Sequence, residues 1–218
     1  MGKNTILTKD QTTVLNEVAK NELLRSNFYL TGGTALSEFY LQHRESVDLD
    51  FFTQNHFNQE TILALFNDFS ATHKFIVSSE YIDPLYQLLL KFESGSTLKV
   101  DFSYYPYKRI AKGNLYQGFE IDSLTDIAVN KLLTISQRVE VKDFVDLYFL
   151  LKNHSLWDLI HGVEIKFKRK IDPFILASDF TLAEDFDYLP KMLKPLTLDE
   201  LKSFFRNEAL ELGKMGVE

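Results

Sequence analysis

The residue types that could do chemistry crowd into one stretch, His43-Arg44-Glu45-Ser46-Val47-Asp48-Leu49-Asp50-Phe51-Phe52. Successive side chains of a strand point to opposite faces. An extended segment here therefore places Asp48 and Asp50 on one side and predicts Val47, Leu49 and Phe51 in a core. Two carboxylates ~7 Å apart along a strand repel each other unless a cation lies between them. Hard oxygen ligands with open positions suit Mg²⁺.

The residues just upstream supply a second feature. Phe28-Tyr29-Leu30 reads as a short strand, Thr31-Gly32-Gly33-Thr34 as a turn, and Ala35 to Leu41 as the helix that follows. Glycine lets backbone approach a ligand closely, and a helix start presents free N–H groups at a positive dipole end. That is a seat for phosphate. Taken singly, a double-glycine turn is a tight connection and an Asp-x-Asp a solvated or capping pair. Their succession, with His43-Arg44 leading into the acids, points to an enzyme acting on nucleoside triphosphates.

The same residues resemble a known family. Gly32-Gly33-Thr34-Ala35-Leu36 followed by His43-Arg44-x-Ser46-x-Asp48-Leu49-Asp50-Phe51-Phe52 is similar to the AbiEii/AbiGii toxin-type nucleotidyltransferases of the polymerase-beta-like superfamily. The likeness continues in Asp126 to Lys131 and in Lys142-Asp143-Phe144-Val145-Asp146-Leu147, so it spans residues 25–150. It implies an α+β fold, a nucleotidyltransferase-like mixed or antiparallel sheet flanked by helices, with a mostly helical C-terminal part. It implies transfer of an NMP from an NTP to an acceptor hydroxyl with one or two Mg²⁺ ions. It also implies the toxin of a toxin–antitoxin or phage-defence (abortive infection) pair, with tRNA or another RNA as acceptor and an antitoxin protein as partner.

Carried over by residue, the resemblance makes Asp48 and Asp50 metal ligands. The family's third acid lies on a neighbouring strand, and Asp101 is the best-placed strand acid after Asp50. Gly32, Gly33 and Thr34 are expected at the nucleotide, with Arg44 touching phosphate or supporting the acid strand, and His43 in support. An acid in the 142–147 segment belongs to the family's site. Asp146, in the more apolar surroundings, is preferred to Asp143.

Composition sets the frame. A chain of 218 residues buries a sizeable core. With 45% hydrophobic and 25% charged residues it reads as an ordinary globular protein. No apolar run reaches the ~20 residues needed to span a bilayer. Met1-Gly-Lys-Asn-Thr lacks the apolar segment of a secretory signal. The absence of cysteine excludes disulfides and thiolate metal sites and fits a cytoplasmic protein. A net charge of −7 argues against a chain coated for nucleic acid, though not against a local basic groove.

The elements that must position these residues follow from periodicity. Residues 8–25 read as one amphipathic helix capped by Thr8, and residues 58–69 as another. Residues 73–79, 86–93 and 97–104 read as strands, the last two joined at Ser94-Gly95-Ser96. In the final strand Leu98, Val100 and Phe102 share one face, while Lys99, Asp101 and Ser103 share the other. Residues 104–118 read as a loop carrying Lys108, Arg109 and Lys112. Residues 123–137 form a helix capped by Ser123, in which Lys131 falls inside the apolar row, a costly place unless its amine snorkels or finds an anion. Position and family together favour reach to the nucleotide's phosphates. Residues 140–152 form a helix with Asp143 and Asp146 one turn apart. The rest is mostly helical, ending in a helix over 196–212 that starts at the Thr197 cap. Residues 165–170 hold the one basic cluster, of a kind that is usually a solvated face. The division expected is a core over 1–122 and a helical part over 123–218.

Two rival functions remain open at this point. A catalytically silent binding module of the same fold would act through a partner. A small-molecule nucleotidyltransferase, of the antibiotic-modifying type, would show a deep apolar acceptor pocket with acidic side chains rather than a basic groove.

Overall fold

The computed structural model describes residues 5–215, so the reading of Met1–Asn4 lies outside it. The chain forms two compact units. One comprises Met1–Tyr40, Ser46–Lys108 and Lys112–Asp122; the other comprises Leu41–Glu45, Arg109–Ala111 and Ser123–Glu218. Among the described residues no helix is long and apolar enough to cross a membrane.

The first unit holds a seven-stranded sheet. Its strands are β1 (Tyr29–Thr31), β2 (Leu49–Thr53), β3 (Phe75–Ile82), β4 (Leu85–Phe92), β5 (Thr97–Tyr104), β6 (Leu115–Tyr116) and β7 (Phe119–Ile121). They lie in the order β3-β4-β5-β2-β1-β7-β6. The sheet is mixed: β2 runs parallel to β5 and β1 parallel to β7, and the other neighbours are antiparallel. Parallel neighbours need a long crossover. Between β2 and β5 it is α4 (Gln59–His73) with the β3–β4 hairpin.

The inner face of the sheet is aromatic. Phe102 stacks on Phe51 at 5.2 Å and meets Phe28 edge-on at 5.1 Å and Phe66 of α4 at 5.6 Å. Phe51, Phe66 and Phe102 are wholly buried. Strand alternation then turns Asp50 and Asp101 to the opposite face, as the sequence pattern requires.

Several boundaries differ from the sequence reading, each for a local reason. The helix expected over 8–25 is two, α1 (Lys9–Lys20) and α2 (Glu22–Asn27), because Asn21 is extended and its side chain caps α2 by accepting from the Leu24 N–H. Thr8 does cap α1, in a reciprocal box with Gln11. The helix after the glycine turn starts earlier, as α3 (Gly32–Leu36), and continues into a π-helical turn over Ser37–Leu41. Val47 is not core but 67% exposed, because β2 begins only at Leu49. The loop expected over 104–118 contains the first strand of the β6–β7 hairpin. Gln117 and Gly118, with φ of 50° and 83°, make its two-residue turn.

The second unit is helical: α5 (Leu124–Ile135), α6 (Val141–Leu150), α7 (Leu156–Phe167), α8 (Pro173–Thr181) and α9 (Leu198–Met215). Ser123 caps α5 by accepting from Asp126 N–H, and Thr197 caps α9 by accepting from Glu200 N–H. Its core is again aromatic, with Phe205 of α9 between Phe144 of α6 at 4.9 Å and Phe180 of α8 at 5.1 Å.

Gly32 has a φ of +72°, and a Cβ added there would overlap the Asp50 carboxylate. Gly95 has a φ of +88° with open space around it. Gly95→Ala should therefore cost only backbone strain, about 1–3 kcal/mol. Gly32→Ala should cost more, since Asp50 must also move. Urea unfolding of both variants checks the order, and equal losses would show that Asp50 does not constrain Gly32.

Candidate active site

The pairing of β2 with β5 places Asp50 directly opposite Asp101. Lys99, two residues before Asp101 and on the same face, reaches back to Asp48, the residue preceding β2. Its Nζ stands 3.3 Å from Asp48 Oδ2 and 3.3 Å from Asp101 Oδ2. The Gln87 amide of β4, across the hairpin, donates to Asp101 Oδ1 at 3.0 Å. Burial pulls the Lys99 amine down, but Asp101 and Asp48 outweigh it and hold the amine above the ordinary lysine value.

The glycine turn closes on the same acids. Gly32 lies against the Asp50 carboxylate, and the Thr34 hydroxyl donates to the Asp48 carbonyl. Thr34 is buried, so its side chain fixes Asp48, while Gly33 sits in the first turn of α3. Beside the turn, Thr31 Oγ1 donates to Asp122 Oδ2 at 2.9 Å. One unit thus gathers Gly32, Gly33, Thr34, Asp48, Asp50 and Asp101. Carboxylate oxygens of this kind suit a hard divalent cation, and two of them already share an ammonium. Among the described residues, no three or more His, Asp or Glu side chains converge as a metal cage. Asp48 and Asp101 flank Lys99 instead.

The other candidates meet within the helical unit. Asp146 is fully buried and receives Arg44 Nε at 2.7 Å, Arg44 Nη2 at 2.8 Å, His43 Nε2 at 2.7 Å and Lys131 Nζ at 2.6 Å. Lys131 also donates to Asp143 Oδ1 at 2.7 Å, and Arg138 Nε to Asp143 Oδ2 at 2.8 Å. Burial would raise Asp146, but Lys131 and Arg44 hold its carboxyl well below the usual range. Asp143 is likewise lowered by Lys131 and Arg138 against burial. Burial would lower the Lys131 amine, but Asp146 and Asp143 keep it raised. Burial lowers His43 despite the pull of Asp146. A neutral ring that donates from Nε2 leaves Nδ1 as a bare acceptor, and Nδ1 has no partner within the described residues.

Two further observations refine the sequence reading. Asp126, whose N–H donates to the Ser123 cap, also accepts from Ile110 and Ala111 N–H and from Lys166 Nζ at 2.6 Å. Lys166 is thereby buried, which removes one cation from the basic cluster over residues 165–170. Sequence reasoning placed Lys99 on Asp101's face without giving it a role and overlooked Gln87. Both were in reach, since Lys99 shares Asp101's face and the Ser94-Gly95-Ser96 turn sets the register that brings Gln87 opposite.

The buried network makes stability pH-dependent. Asp143 and Asp146 have folded-state values below their unfolded ones, so their contribution is present above pH ~4 and lost as the pH falls further. His43, also lowered, subtracts stability from pH ~6.5 downward, where only the unfolded chain takes up the proton. Stability from urea unfolding should fall steadily from pH 7 to pH 3. Asp146→Asn at pH 7 should cost about 3–5 kcal/mol, because Arg44 and Lys131 stay buried without their partner.

Comparison with known proteins places the chain in a family. The family profile described as nucleotidyl transferase AbiEii toxin, type IV TA system, matches residues 13–214. An uncharacterized protein of Aquifex aeolicus (strain VF5) is 32% identical over 217 residues, covering 94% of this chain and 97% of that protein. A protein of H. pylori classed as a nucleotidyltransferase has a similar crystal structure, with a TM-score of 0.58, 22% identity and 96% and 97% of the two chains covered. MenT4, a nucleotidyltransferase toxin of Mycobacterium tuberculosis H37Rv, gives a TM-score of 0.55 with 18% identity over 92% of this chain and 82% of its own. At such identities the two structures speak for the fold; the profile speaks for the family. The chain belongs to the AbiEii family of type IV toxin–antitoxin nucleotidyl transferases and is an NTP-using nucleotidyltransferase of that class.

Proposed function

We propose that the protein transfers an NMP from an NTP to the hydroxyl of an RNA acceptor, as the toxin of a toxin–antitoxin or phage-defence pair whose antitoxin is a second protein. The observation that carries this reading is Asp50 in register with Asp101, beside Asp48 and the Gly32 turn. Asp48, Asp50 and Asp101 would hold Mg²⁺, which when bound supplies positive charge against the phosphates. The backbone of Gly32 and Gly33 at the start of α3 takes the outer phosphates, with the amide dipoles favouring negative charge. Thr34 keeps Asp48 in position through its carbonyl.

Asp101 accepts the proton of the acceptor hydroxyl as it attacks the α-phosphate, and pyrophosphate leaves. Gln87 fixes the orientation of that carboxylate. Lys131 enters this reading through the family likeness alone; within the helical unit it is held by Asp143 and Asp146, with Arg44 and His43 holding Asp146. Most of the rate enhancement then comes from positioning and fixed charge, as is general for phosphoryl-type transfer. An NTP-dependent reaction of this kind fits the cytoplasm.

The test is incubation of the purified protein with Mg²⁺, each labelled NTP in turn, and total RNA, the product being identified by mass. Label should enter RNA with at least one nucleotide. Asp50→Asn should reduce the rate by roughly 10²- to 10³-fold, the effect of removing one preorganised electrostatic group. No label in RNA with any of the four nucleotides would sink the RNA-acceptor reading. Label on a small molecule would move the enzyme to the small-molecule class.

A further inference from the structure

Lys99 stands where the acid cluster most needs positive charge. Its ammonium is equidistant, at 3.3 Å, from Asp48 Oδ2, just before β2, and Asp101 Oδ2, on β5. Those two carboxylates belong to the set assigned above to Mg²⁺, and the inference rests on that assignment. Mg²⁺ carries twice the charge of an ammonium, and its oxygen ligands lie at about 2.0–2.1 Å. The lysine holds them loosely, just beyond the usual 2.7–3.2 Å of an N–H···O bond. Its side chain is 36% exposed, so the amine has solvent to swing into, while Asp101 is only 9% exposed and stays anchored by Gln87.

We propose that Lys99 is a resident counter-ion that occupies the bridging position between Asp48 and Asp101 and yields it to a divalent cation. The lysine keeps the two carboxylates from repelling each other before the ion arrives. It thereby sets the ion's affinity by competing for the same oxygens, and the metal is exchanged in rather than added to a bare site.

The test is Mn²⁺ binding to the nucleotide-free protein, followed by electron paramagnetic resonance and calorimetry. Lys99→Met keeps the length of the stem and removes the charge. It should bind Mn²⁺ about tenfold more tightly than the wild type, the change expected for losing one competing ion pair in a partly buried setting. Its melting temperature in chelator should be lower than wild type and should rise further on adding Mn²⁺. Lys99→Arg, which keeps the charge, should bind Mn²⁺ as the wild type does. Adding Asp101→Asn to Lys99→Met should abolish the gain, and a gain that survives lies elsewhere and overturns the proposal. Equal or weaker binding by Lys99→Met also overturns it, while leaving the acids as a metal site. If neither protein binds Mn²⁺, the metal assignment itself fails, and the inference with it.

Discussion

The in-register pairing of β2 with β5 is the constraint on which the structure turns. It sets Asp50 beside Asp101 across adjacent parallel strands, whose backbones lie about 4.8 Å apart. Like charges opposite each other destabilise a sheet. The fold accepts this on one face because the other face is a continuous aromatic core. Phe51 and Phe102, the immediate neighbours of the two acids, are stacked and fully buried. Local compensation comes from Lys99 and Gln87, both directed at Asp101.

The helical unit meets the same difficulty differently. Asp143 and Asp146 are buried from solvent altogether, so their compensation is internal and hydrogen-bonded, supplied by Lys131, Arg138, Arg44 and His43. Removing one partner of such a set is costly, whereas the set as a whole contributes little beyond a unique arrangement. His43-Arg44, read as the lead-in to the acid strand, is therefore also an anchor for α6. Residues adjacent in sequence serve two clusters: Leu41–Glu45 belongs to the helical unit and Ser46 onward to the sheet unit.

Much of this was legible beforehand, and the exceptions have physical causes. Strand alternation sorted Leu98, Val100 and Phe102 from Lys99, Asp101 and Ser103, because a period of two leaves little freedom. The Ser123 and Thr197 caps were readable because a hydroxyl at a helix start has one local partner. Asn21 was missed because its neighbours continue the apolar stripe, and only side-chain competition for the Leu24 N–H breaks the helix. Val47 was misplaced because alternation was extended one step beyond where the strand begins. The partners of Lys131 and Lys166 involve distant or differently ordered segments, and periodicity shows that a buried amine needs an anion without saying which.

The crossover between β2 and β5 has a consequence for biosynthesis. Asp101 is separated from Asp50 by α4, β3 and β4, and parallel pairing forms only after that whole stretch has been made and folded. A nascent chain on the ribosome carries the glycine turn and the first two acids early, yet holds no complete constellation until β5 emerges and docks. Translation products that end before β5 thus lack both Asp101 and the strand that pairs with β2.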